Sequence, residues 1–114
     1  MRLLIAILVL GCTGCTSTRQ TEHASGDFEK TLTAISDAYW ADKHSEVIDL
    51  CQVATGKYPT AIEPHFYMGA SHTVFMELAE AKAQFREVLR LDPGNTNAIR
   101  WLDIIEGYEE RGFP

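Results

Sequence analysis

Two prolines, Pro59 and Pro93, each follow an apolar stripe at helical spacing, and the interval between them sets a period for the chain. Proline disfavours the helical conformation at the residue before it and lacks a backbone donor, so each closes the helix that precedes it. Between these stops the apolar residues recur every three to four positions. Phe28, Leu32, Ile35 and Tyr39 form one such segment, and Val47, Leu50, Cys51 and Ala54 form the next. No stretch alternates as a half-buried strand would. A third helix is expected between Ile62 and Val74, with Thr60 and Glu63 as a capping box and Pro64 tolerated in the first turn. Leu78, Ala81, Phe85, Val88 and Leu89 mark a fourth, which must end near Leu91 or Asp92, ahead of Pro93-Gly94. Asn95 or Thr96 caps a fifth, whose interior runs through Ile99, Leu102, Ile105 and Tyr108 and stops near Gly112. The expected fold class is therefore all-α, with five helices on short connections.

The chain has 114 residues, enough for one small domain. Its start, MRLLIAILVLGC, places Arg2 before an unbroken apolar run from Leu3 to Leu10. That run is far shorter than the roughly 20 residues a membrane span needs, but it suits the apolar part of a secretory signal. Gly11-Cys12 and Gly14-Cys15 follow it, and a small residue before a cysteine at this place resembles a bacterial lipoprotein signal. The resemblance implies that the cysteine becomes the lipidated first residue. Cys12 has the better upstream residues, Val9-Leu10-Gly11, and Cys15 gives the more ordinary signal length, so Cys15 is favoured with Cys12 as the alternative. A plain secretory signal is the competing reading. The expected organisation is a signal over 1–14, a polar tether over 15–26 and a helical domain over 27–112.

The whole chain carries a net charge of −6; losing the signal removes Arg2 and no acid, which leaves nine Lys and Arg against sixteen Asp and Glu. So acidic a chain is poorly suited to nucleic acid or to anionic membrane surfaces. A lipid rather than a basic patch would hold it at a membrane; one acyl chain anchors only marginally, and lipoproteins of this type carry more than one. Beyond Cys15 only Cys51 remains, so no internal disulfide framework is expected.

The second helical pair repeats a further pattern: Met68-Gly69, then Ala81 twelve on, Phe85 four later and Pro93 eight later. This spacing resembles the tetratricopeptide repeat (TPR), whose large apolar residue, Gly, Ala, Phe and Pro share the same period as Pro59 and Pro93. Small residues let paired helices approach closely, and Phe85 would fill the space between neighbouring pairs. The unit over 28–61 is degenerate, with Ile35 where the family prefers Gly, Val47 where it prefers Ala, and Cys51 where it prefers an aromatic. Residues 96–110 would begin a third unit or act as its cap. The resemblance thus implies a short TPR-like α-solenoid of about 2.5 repeats over 28–110, marginal alone because each unit buries its face against a neighbour.

Residues that carry chemistry are sparse. Of the four histidines, His65 and His72 are seven apart and could share a helix face, yet no cysteine or acid completes a ligand set, so no metal is expected. His72 falls where the repeat family has an aromatic, which favours packing. Cys51 reads as a small buried hydrophobe, since no base is spaced near it. Phosphate loops, nucleophile elbows and His-Glu-x-x-His are absent; neither an enzymatic activity nor a cofactor is expected.

The TPR resemblance does imply a groove lined by the first helix of each unit. Its positions fall here on Glu29, Leu32, Ser36 and Tyr39, then Glu63, Phe66, Ala70 and Thr73, then Asn97, Arg100 and Ile104, with Tyr67 and Trp101 beside them. The family's Lys-Asn-Arg clamp for an acidic peptide terminus is missing. Leu32, Tyr39, Phe66, Tyr67, Arg100, Trp101, Ile104 and Tyr108 are thus the candidate partner-binding residues, with Arg100 the one clear cation. In the last helix Trp101, Ile104 and Tyr108 form a second apolar stripe, whose breadth predicts that a partner, a second copy, or the tether and Phe113 covers it. The expected protein is a lipid-anchored, periplasm-facing envelope adaptor or assembly factor, outer membrane favoured because Thr16 or Thr13 rather than Asp follows the candidate cysteine. The alternatives are a self-associating structural subunit and an accessory domain of an envelope enzyme complex.

Overall fold

The computed structural model describes residues 26–112. Five helices account for most of them: α1 over residues 26–40, α2 His44–Lys57, α3 Ile62–Val74, α4 Leu78–Leu91 and α5 Thr96–Glu110. No strand occurs among the described residues. Two compact units meet in the sequence after Lys30; residues 26–30 belong to the first, and the core described below lies in the second. Gly26, assigned above to the tether, is already helical. Cys12, Cys15, the remainder of the tether and Phe113 lie outside the described residues.

Periodicity extends from the sequence into the backbone. Helix α4 starts and ends one period after α2, the same interval that separates Pro59 from Pro93, and α5 starts one period after α3. Asp42 and Met76, spaced by that interval too, are the two non-glycine residues with positive φ among the described residues, at 61° and 58°. Each is the left-handed residue that ends a helix: Asp42 N–H donates to Tyr39 O at 3.1 Å and Lys43 N–H to Ala38 O at 2.9 Å. Met76 N–H donates likewise to Thr73 O at 3.0 Å and Glu77 N–H to His72 O at 2.9 Å. This is a Schellman closure, in which otherwise orphaned carbonyls of the last turn find donors. The helix ends before each proline match as well, with Tyr58 N–H donating to Ala54 O at 2.7 Å and Asp92 N–H to Val88 O at 2.8 Å.

Helix entry differs from expectation at one place. The N-cap of α3 is Ala61, in extended conformation and without a side-chain cap bond, so the Thr60–Glu63 capping box does not form. Thr60 stands one residue too early. At α5 the expected cap is present: Asn95 Oδ1 accepts from Ala98 N–H at 2.9 Å.

Side chains pack in two layers. Ile35, Ala38, Val47, Cys51, Ala54 and Met68 form one buried cluster, from α1, α2 and α3. Ala70, Leu78, Ala81, Phe85, Val88, Ala98 and Ile105 form the other, from α3, α4 and α5, and Tyr39 packs against both. Gly69 sets the approach of α3 to α4, because a methyl group there would lie 2.8 Å from Phe85 Cζ. The Phe85 ring, fully buried, stacks on Trp101 of α5 at 5.4 Å and 11° and meets Phe66 edge-on at 5.4 Å. It is the wedge between the second helical pair and the last helix. In the first pair Ile35 and Cys51 occupy the positions one period before Gly69 and Phe85, and both are fully buried. A large residue on the first helix and a small one on the second replace the reverse arrangement, which keeps the summed bulk similar.

The buried face of α5 matches the expected one at Leu102, Ile105 and Tyr108 and differs at Ile99. Ala98 and Ile105 are buried and Trp101, Leu102 and Tyr108 pack against the core, whereas Ile99 is 44% exposed. Lys82 of α4 fastens this helix by pairing with both carboxylate oxygens of Glu109, at 2.7 and 3.0 Å.

Candidate functional site

A cleft of about 450 Å³ opens along one side of the second unit, and every described residue lining it comes from α1, α3 or α5 and its cap. Tyr39 and Trp40 close one end. Ile62, Glu63, Phe66, Tyr67 and Ala70 of α3 form the floor, and Asn95, Asn97 and Trp101 form the other end. The alternation of the fold produces this: successive helices pack on one another, so odd-numbered helices share one face and even-numbered helices the other.

Rings dominate the walls. Tyr39 meets Trp40 at 5.4 Å and 88° and Tyr67 at 5.4 Å and 66°; Phe66 meets Trp101 at 6.4 Å and 85°. These edge-to-face contacts suit the ring quadrupole and hold the walls in place. Burial, with Tyr67 and Asp42 adding to it, raises the Tyr39 phenol above its ordinary value, so it stays a neutral donor. Trp40 is different in kind: it ends α1 and is 77% exposed. A tryptophan so open is unusual for a residue whose area favours burial.

Of the expected partner-binding residues, the cleft gathers Tyr39, Phe66, Tyr67 and Trp101. Four others fall elsewhere. Leu32 is half-buried and not in the wall; Arg100 and Ile104 are exposed, Ile104 to 40%. Tyr108 packs against the core with the Arg111 guanidinium 5.3 Å from its ring centre. Arg100 is therefore not the cation of the groove, and among the described residues the one charged residue lining it is Glu63, an acid. The reason is positional. Arg100 stands one repeat period after Phe66, whose ring faces Trp101 on the next odd-numbered helix, and among the described residues no further helix follows α5.

The expected second stripe on α5 is also narrower than its composition implies. Trp101 and Tyr108 turn into the cleft and core, while Ile99 and Ile104 lie about 140° apart around the helix, on opposite edges of an outer face that carries Thr96, Arg100, Asp103 and Gly107. That face is mostly polar. Sequence reasoning missed Trp40, Ile62 and Asn95. Trp40 follows Tyr39, and at a helix end neighbouring side chains can reach the same opening.

The histidines sit on the other side. His65 and His72, with Gln52, Thr55, Glu80 and Gln84, line a second cleft of about 440 Å³ between α2, α3 and α4. His65 Nδ1–H donates to Gln84 Oε1 at 2.8 Å, and His72 Nδ1–H to Glu77 Oε1 at 3.0 Å. No group of three His, Cys, Asp or Glu residues placed to hold a metal occurs among the described residues. Cys51 is fully buried, and desolvation pushes its thiol up to about 12, far from a reactive thiolate.

No family model matches the chain, and no solved structure matches it. What the cleft does must be argued from its own residues.

Proposed function

We infer that this chain is a short TPR-like repeat module that binds an extended or helical polypeptide segment in the α1–α3–α5 cleft. The observation that carries this reading is the origin of the lining: every described lining residue belongs to an odd-numbered helix or to the α5 cap, and none to α2 or α4. Support comes from the recurrence, at the interval between the two prolines, of helix bounds, left-handed residues and closing hydrogen bonds, which gives the sequence resemblance a backbone counterpart. A long, apolar, aromatic-walled cleft with Asn95 and Asn97 at one end matches what a peptide needs, area from its side chains and a few polar groups for its backbone.

The setting we propose is the bacterial envelope, periplasm-facing and favouring the outer membrane, with lipid on Cys15 or Cys12 as the anchor. No described helix is long and apolar enough to cross a membrane. The module would act there as an adaptor or assembly factor for another envelope protein.

The test is crosslinked co-purification from membranes, comparing the native chain with Trp40→Ala plus Glu63→Gln. Both residues are exposed, so the variant keeps its core. Phe66 and Trp101 are unsuitable because they pack on Phe85. The reading requires a partner held by the native chain and lost from the variant; equal retention contradicts it.

A further inference from the structure

The charge of the molecule is unevenly placed around its cleft. From Thr31 onward the three lining helices carry six carboxylates and one cation, Arg100, whereas α2 and α4 carry four carboxylates and four cations. Pairing of Glu109 with Lys82 offsets one of the six. Glu63 is the one charged lining residue of the cleft among the described residues. Glu63 is exposed and has no ion-pair partner among the described residues.

Two further features point the same way. The faces of aromatic rings are electron-rich and attract cations, and the 77% exposure of Trp40 leaves its indole open beside the cleft. One free amide at the start of α5 is taken up by the cap, with Ala98 N–H bonded to Asn95 Oδ1 at 2.9 Å. Among the described residues the cleft thus offers ring faces and a carboxylate and no cation.

We propose that the cleft recognises an arginine side chain, presented by an otherwise apolar segment of a basic partner polypeptide, with the guanidinium against Trp40 and paired to Glu63. The proposal rests on the polypeptide-binding reading of the same cleft. Arginine fits better than lysine because its planar, weakly hydrated guanidinium can stack on an indole and still present a fork of donors to a carboxylate. The overall negative charge of the chain would hasten the encounter with such a partner.

Both tryptophans of the chain, Trp40 and Trp101, line the cleft, so intrinsic fluorescence reports its occupancy. The experiment titrates the full chain in detergent micelles with three blocked pentapeptides, Gly-Leu-X-Leu-Gly, in which X is arginine, its uncharged isostere citrulline, or glutamate. The arginine peptide is expected to bind saturably and about tenfold more tightly than the citrulline peptide, as a partly desolvated cation–π contact with a carboxylate warrants. Glu63→Gln should narrow the gap between the arginine and citrulline peptides and leave the citrulline peptide unchanged. Trp40→Ala should weaken the arginine peptide more than the citrulline one, read through Trp101. Equal binding of arginine and citrulline peptides, or tightest binding of the glutamate peptide, overturns the arginine proposal and leaves the polypeptide cleft standing. No saturable change with any peptide, in a chain still helical by circular dichroism, overturns both.

Discussion

At Gly69 one methyl group decides how closely α3 and α4 can pack. An alanine there would bring Cβ to 2.8 and 2.9 Å from Phe85 ring atoms, and the ring cannot retreat because it is fully buried and stacked on Trp101. Gly69→Ala should therefore destabilise the domain by about 1–3 kcal/mol in urea titration, although alanine is the better helix former by about 1 kcal/mol. Pairing it with Phe85→Leu should give less than the sum of the two losses. Cys51 carries a pH prediction. Its thiol is held at about 12 in the folded chain, above the unfolded value near 8.5, so its contribution is intact below that value and fades as pH rises toward 12. The native chain should lose stability above about pH 9 with a slope approaching about 1.4 kcal/mol per unit from this group, and Cys51→Ala should lack that component. Within the cleft the two tryptophans should separate by stability: Trp40→Ala within about 0.5 kcal/mol of native, and Trp101→Ala costing about 3 kcal/mol or more.

Among the helices, the first pair shows how a repeat can lose its signature residues and keep its geometry. Ile35 and Cys51 take the places that Gly69 and Phe85 hold in the second pair, and all four are buried. Cys51→Phe alone should overpack the first layer and Ile35→Gly alone should hollow it. The double substitution should recover at least about 1 kcal/mol of the summed losses, measured by a double-mutant cycle. The repeat period was legible in the chain because prolines, and the Gly69–Phe85 pairing, are local chemical requirements. Much of the groove was legible: Tyr39, Glu63, Phe66, Tyr67, Ala70, Asn97 and Trp101 line it, while Leu32, Arg100, Ile104 and Tyr108 do not. On α5 the inner face was misjudged at one position, Ile99. Ala98 is fully buried and Ile99 is not, and hydrophobicity alone ranks them the other way. At α3 the capping motif was present as residue types but offset by one position from the helix start at Ile62.

On the scale of the whole molecule, alternation of helices sorts chemistry onto two sides. Odd-numbered helices supply the aromatic cleft and the acidic excess; even-numbered helices carry balanced charge, and between α2, α3 and α4 lies the His65–His72 cleft. The central claim, that a polypeptide lies in the α1–α3–α5 cleft, is tested most directly by a photoreactive amino acid placed at Asn97, exposed in the cleft lining, or, as control, at Val53 on α2, which is 71% exposed and outside the cleft. Irradiation of cells should join position 97 to one defined protein, and position 53 should not yield that adduct. The same adduct from both positions, or none from position 97 in a folded and expressed chain, would contradict the account.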